Sequence, residues 1–318
     1  MKPVVLTAAL LSLIAAPVAA QEHAHAEHGA AQAEQGSDHA EHGDHHADFE
    51  SGRMHVRIDG PQGAPDIIMI PGLSSSPHVF DTLTAELSGR YRIHRIHVQG
   101  FAGAPAMDNA EGPVAAPVAE EIARYIAEKG LNRPVVIGHS MGGTIGMMLA
   151  ARHPEAVSKL MVVDMIPFVG AMYGAPGITA EQVTPTADMI YAGMTAAPEA
   201  QYQAQVAASV QGMIFTESLR AGPLQDAARS DRAVSSSAFR ELIVTDLRPE
   251  LSKITAPVTV LYVKFNDASM TNEVTDMLYR LSFATLPGAT LKRIEDSAHF
   301  IMLDQPVRFA AEVNAFLE

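Results

Sequence analysis

The stretch from Val135 to Ala150, VVIGHSMGGTIGMMLA, decides the reading of this chain. An apolar, β-branched run ends at Gly138, a helix-forming run begins near Gly142, and one serine, Ser140, stands between them. A strand that turns into a helix across so few residues forces its central residue into a sharp backbone bend. The positions two before and two after must then be almost free of side chain, so that strand and helix can approach each other. The same turn puts the serine at a helix N-terminus, where unpaired N–H groups and the helix dipole favour developing negative charge.

Working outward, the flanking sequence alternates between strand and helix. Residues 54–59 (MHVRID), 65–72 (PDIIMIPG) and 91–100 (YRIHRIHVQG) read as strands. Residues 76–89 and 117–130 carry helical spacing, and Gly130 is placed to close the second of these helices. PVVIG, the helix after Ser140, and VSKLMVVD continue the alternation. Such an order calls for an α/β fold, a mostly parallel central sheet with helices on both faces. Residues 165–250 interrupt it with Met-, Ala-, Gln- and Ser-rich helical sequence and are expected to form an inserted cap. The sheet is expected to resume with 257–263 and 289–295, separated by a helix over 272–282 and closed by a helix over 305–317. The core is thus divided into 54–164 and 251–318.

This arrangement, with G-x-S-x-G at a strand-to-helix junction, resembles the α/β-hydrolase superfamily, specifically its serine esterase and lipase-like branch with a helical cap, from about Met54 to Glu318. The resemblance implies Ser140 as nucleophile and a histidine after the last strand as its base, and His299 in EDSAHFIMLDQP occupies that place. It implies an acid after the strand that follows the cap. Asp267 fits that chain order and ranks first, although Lys264 stands where a glycine is common. Asp164, at the end of LMVVD, is the alternative. Asp296 and Asp304 read as loop or capping residues. The oxyanion donors it implies are the backbone N–H groups of Met141 and of Leu73, the latter in a turn where Pro71 replaces the usual histidine. Serine at the elbow argues against the aspartate-dependent dehalogenases and epoxide hydrolases of the superfamily.

The cap is expected to set specificity. Phe168, Met172, Met194 and Phe215 are candidate substrate contacts, and Met165, Tyr173, Met189, Tyr191 and Met213 belong to the same adaptable apolar set. No tryptophan is present and aromatics make up 6% of the chain, which leaves no evident stacking platform for sugars or bases. With 22 basic against 36 acidic residues, the chain is a poor partner for polyanions such as nucleic acid or anionic lipid. The expected substrate is a small to medium apolar ester, with no cofactor. An acyltransferase, a thioesterase or a lactonase could use the same residues.

The N-terminal residues are of another kind. Residues 1–20 read as a cleaved secretory leader: Lys2, an apolar run too short to span a bilayer, and small residues before Gln21. A periplasmic or secreted mature protein without membrane association follows, with no cysteine available for disulfides. Residues 21–53 are expected to be disordered, acidic and His-rich. His23, His25, His28, His39, His42, His45 and His46 offer accessory ligands for a divalent metal, against the alternative of a solvated spacer. No catalytic-metal spacing occurs elsewhere, so the active site is expected to hold no metal. A metal-buffering protein on a hydrolase scaffold is the competing functional class.

Overall fold

A computed structural model of the chain describes residues 48–264 and 270–318. The leader, the histidines of the tail and Asp267 lie outside the described residues. Eight strands form one sheet: β1 (Phe49–Glu50), β2 (Met54–Asp59), β3 (Asp66–Ile70), β4 (Arg92–Val98), β5 (Val135–His139), β6 (Lys159–Val163), β7 (Val258–Tyr262) and β8 (Thr290–Arg293). Their order is β1-β2-β4-β3-β5-β6-β7-β8. Pairing from β4 through β8 is parallel, while β1 and β2 are antiparallel. β1 corrects the expectation of disorder through residue 53, because Phe49 pairs with Val56 and Glu50 with His55.

Ten α-helices accompany the described sheet: α1 (Asp81–Leu87), α2 (Ala115–Lys129), α3 (Met141–Arg152), α4 (Ala180–Ala196), α5 (Glu199–Gly212), α6 (Ala221–Arg229), α7 (Arg232–Val244), α8 (Asn272–Ser282), α9 (Ile301–Asp304) and α10 (Pro306–Leu317). The period-2 alternation of the strands separates two hydrophobic layers. Ile68, Ile70, Val136, Leu160 and Val162 face one layer with α2 and α3 residues such as Ile122 and Ile145. Ile67, Met69, Ile137, Met161 and Val163 face the other with Leu83, Phe309 and Val313. Gly130 ends α2 in the left-handed conformation, φ 62°, as its lack of a Cβ permits.

Between β6 and β7 the chain leaves the sheet and runs through α4 to α7. One carboxylate anchors this excursion: Glu241 on α7 accepts from the N–H groups of Val114, Ala115 and Ala116 at 2.6, 2.7 and 2.9 Å. These are the orphan donors at the start of α2, where the helix dipole also favours an anion.

A histidine pair on β2 and β4 is expected to make the fold sensitive to acid. His55 and His97 are cross-strand partners with ring centroids 4.4 Å apart, and His97 donates to the Phe101 carbonyl at 2.8 Å. Burial, and then its neighbour His55, hold the His97 imidazole down to about 4. An unfolded chain titrates near 6.5 and takes up the proton that the folded one refuses. The contribution of His97 to stability is therefore expected to be fully present above about pH 6.5, to decline as pH falls, and to be lost below about pH 4. The expected linkage is about 2 kcal/mol at pH 5. Urea midpoints at pH 7 and pH 5 should differ less in His97→Gln than in the parent; equal pH dependence in both would contradict this assignment.

Candidate active site

Ser140 separates β5 from α3 with φ 53° and ψ −122°, a conformation side chains rarely adopt. Its N–H donates to Val163 at 2.9 Å, and its carbonyl accepts from Gly143 at 2.7 Å. Glycine is required around it. A Cβ on Gly138 would lie 2.1 Å from the Gly142 carbonyl oxygen, one on Gly142 2.1 Å from that of Ile70, and one on Gly72 3.0 Å from Cβ of Ser140. The first two contacts are the steric demand expected of the motif. The third shows that the turn after β3 presses directly against the serine.

That turn carries Leu73 and Ser74, the latter with φ 53°. Helices of the excursion hold it in place. Asp226 on α6 accepts from the Ser76 N–H and hydroxyl at 2.9 and 2.6 Å, and the Ser74 and Ser235 hydroxyls lie 2.8 Å apart. Met141 is buried and opens α3, so its N–H belongs to the first turn, which has no intrahelical acceptor.

Among the described residues, the carboxylate that meets His299 is Asp164. Its Oδ2 accepts from His299 Nδ1 at 2.6 Å, and its side chain is only 1% exposed. Asp164 is the alternative acid of the sequence reading; Asp267, ranked first by chain order, lies outside the described residues. Asp164 directly follows β6 with φ 51° and donates its N–H to the Leu261 carbonyl at 2.7 Å. Its Oδ1 accepts from the Tyr279 hydroxyl at 2.9 Å and the Val263 N–H at 3.0 Å. A carboxylate accepting at Nδ1 fixes the tautomer that leaves Nε2 free as an acceptor.

The loop bearing His299 is pinned on three sides. His139 donates from Nε2 to the His299 carbonyl at 3.0 Å. Burial, reinforced by its neighbour His299, pushes the His139 pKa well below the usual histidine range, so the ring stays neutral. The Phe300 N–H donates to Met213 at 3.2 Å. Asp304 accepts from Ala298 N–H at 2.9 Å and from Phe215 and Thr216 N–H at 3.1 and 2.8 Å, joining this loop to the segment between α5 and α6.

Ser140, Asp164 and His299 border one cavity of about 120 Å³, together with Leu73, Ser74 and Ser75. Its opposite wall is apolar. Met172 and Met194 line it as the sequence suggests, as do Met165 and Met213. Phe168 does not: it is 1% exposed, packed in the core with the Arg248 guanidinium 4.5 Å above its ring. Phe215 is 45% exposed and contributes its N–H to Asp304, not its ring to the cavity. Met189 is 65% exposed, and Tyr173 and Tyr191 are not among the lining residues. Residues overlooked in the sequence supply much of the wall: Tyr202, Val206 and Val210 on α5, and Ser235, Phe239 and Leu242 on α7. Their i, i+4, i+8 and i, i+4, i+7 spacings were the available signal.

The model of the alpha/beta hydrolase family matches residues 67–312, which contain the elbow, Asp164 and His299. The chain belongs to the alpha/beta hydrolase family. Among curated relatives, it is similar to a pimeloyl-[acyl-carrier protein] methyl ester esterase of Aliivibrio salmonicida, 22% identical over 253 residues that cover 80% of this chain and 92% of the relative. Among solved structures, a hydrolase from Pseudomonas aeruginosa PA01 superposes with a TM-score of 0.68 at 19% identity, covering 83% of this chain and 94% of the other. The enol-lactonase from Burkholderia xenovorans LB400 gives a TM-score of 0.66 at 20% identity, covering 83% and 96%. As a member of this hydrolase family, the chain carries its motif serine on the same cavity as a histidine and a buried carboxylate. Among the described residues, no three His, Cys, Asp or Glu side chains gather as metal ligands would.

Proposed function

We propose that the protein is a serine hydrolase of carboxylic esters that works through an acyl-enzyme. The observation that carries this reading is the 2.6 Å hydrogen bond from His299 Nδ1 to buried Asp164, on a cavity shared with Ser140. His299 Nε2 takes the Ser140 proton as Oγ attacks the ester carbonyl. Asp164 keeps the imidazole oriented and stabilises the imidazolium that forms. The Leu73 and Met141 N–H groups bind the oxyanion; backbone donors fixed in advance require no reorganisation as charge develops. His299 then returns the proton to the departing alcohol, and water attacking by the same route releases the acid and restores Ser140. Neutral His139 beside His299 adds no competing positive charge to the transient imidazolium.

The α4–α7 excursion acts as the specificity cap. A cavity of about 120 Å³, walled by methionine, valine, leucine and phenylalanine and bordered by no lysine or arginine, favours a compact, neutral group. A methyl ester, the bond named for the curated relative, is of that class. The leader composition of residues 1–20 supports action in the periplasm or outside the cell.

Hydrolysis of a p-nitrophenyl ester series tests this reading. Acetate and butyrate are the expected preferred substrates, with kcat/KM at least about tenfold lower for dodecanoate because a long chain outgrows the cavity. Chelators are expected to leave the rates unchanged. No turnover of any ester, or a preference for long chains, would overturn it.

A further inference from the structure

We propose that Tyr279 is a positioning residue of this active site: its hydroxyl, donating to Asp164 Oδ1, holds the carboxylate so that Oδ2 is the oxygen presented to His299. The inference deepens the serine-hydrolase reading and rests on it. An aspartate carboxylate turns easily about its terminal torsion, which has a broad, two-fold profile. Burial alone does not fix that rotation. Two donors on one oxygen do: Tyr279 Oη at 2.9 Å and the Val263 N–H at 3.0 Å both meet Oδ1, leaving Oδ2 to accept from His299 at 2.6 Å.

The tyrosine is itself firmly held. It is 1% exposed on α8, and its ring lies parallel to that of Tyr262 on β7, with centroids 4.0 Å apart and planes 19° apart. Tyr262 is fixed in turn by its hydroxyl, which donates to Asp276 Oδ1 at 2.9 Å, where Arg293 Nε also donates at 2.8 Å. Stacked rings and an ion pair thus brace the hydroxyl from behind. Burial and the neighbouring Asp164 push the Tyr279 hydroxyl well above its ordinary range, so it stays protonated and remains a donor. Among the described residues, the chain after β7 therefore reaches the acid through a tyrosine hydroxyl and the Val263 N–H.

The hydroxyl has a second effect, on charge. A carboxylate whose charge is shared with another donor stabilises an imidazolium less strongly. Removing the donor should raise the His299 pKa, and strengthening it should lower it.

The test uses proton NMR of the full chain. The downfield Nδ1–H resonance is assigned to His299 by its absence in His299→Gln, and is followed through a pH titration in the parent, in Tyr279→Phe, and with 3-fluorotyrosine placed at position 279. Tyr279→Phe keeps the stacked ring and removes only the donor. It should move the resonance and the pH at which it titrates, and lower kcat on p-nitrophenyl butyrate about 3- to 10-fold with KM unchanged. The more acidic fluorinated hydroxyl should move the midpoint the opposite way, and it keeps the test decisive if Tyr279→Phe does not fold. Titration midpoints that are the same in parent and variants would overturn the proposal. The NMR readout needs no turnover, so a parent inactive on every ester would refute the esterase reading without deciding the role of Tyr279.

Discussion

Ser140→Ala is expected to lower kcat/KM on p-nitrophenyl butyrate by about 10⁴-fold or more while leaving the thermal melt close to that of the parent. The loss is large because, in the mechanism we propose, the hydroxyl oxygen is the atom that bonds to the substrate. Histidine and carboxylate cannot compensate, since both act through that oxygen. Residual catalysis would come from the Leu73 and Met141 donors polarising the carbonyl for attack by water. The fold should tolerate the change because the backbone strain at position 140, φ 53°, is imposed by the strand-to-helix turn and by the contacts of Gly138 and Gly142, none of which involves the serine hydroxyl. A variant that keeps more than about a tenth of the activity would mean that another group is the nucleophile.

Asp164→Asn should reduce kcat by about 10³- to 10⁴-fold with KM altered little. The amide can still accept from Tyr279 and Val263, so the pocket should keep its shape. What disappears is the negative charge against His299 Nδ1, and with it the stabilisation of the imidazolium and the preference for the tautomer that leaves Nε2 free. The same replacement at Asp267 is the internal comparison, and it is expected to change kcat less than about threefold, as for a residue outside the reacting set. Measured side by side on one substrate, the two variants decide the acid. A large loss at Asp267 with a small one at Asp164 would assign the acid to the turn after β7 and contradict the arrangement described above.

The difference between these two aspartates shows where the sequence is informative. The elbow is legible because its demand is local: glycines at 138 and 142 are needed by backbone contacts across a few residues, and the strand and helix on either side are written in their own apolar patterns. His299 is legible because little chain lies between the last strand and the final helix. The acid is not. Asp164 and Asp267 follow β6 and β7, which are neighbours in the sheet, and either turn could present a carboxylate toward one histidine loop. What holds Asp164 against His299, donors from Val263 and Tyr279, comes from 99 and 115 residues away along the chain and leaves no local mark in the sequence.

The cavity wall is less legible for a related reason. Large apolar side chains in the excursion have three destinations: the cavity, the core and the surface. Composition does not separate them. Met172 and Met194 reach the cavity, Phe168 is claimed by the core beneath Arg248, and Phe215 remains outside. The stripe Tyr202, Val206, Val210 is a helical face of ordinary residues, and its function emerges only when α5 is laid over Ser140. The anchors that lay the excursion there, Glu241 on the start of α2, Asp226 on Ser76 and Asp304 on residues 215 and 216, all bridge distant segments. The two-residue strand β1 is too short to display a period in the sequence.

The most direct test of the central claim is covalent. The protein with its native sequence should be incubated with a small alkyl fluorophosphonate, which phosphonylates an activated serine, and the adduct located by peptide mass spectrometry. One adduct per chain on Ser140, formed in parallel with loss of esterase activity and strongly slowed in His299→Gln, is the result this account predicts. An adduct on a different residue, or no adduct on a protein that hydrolyses esters, would contradict it.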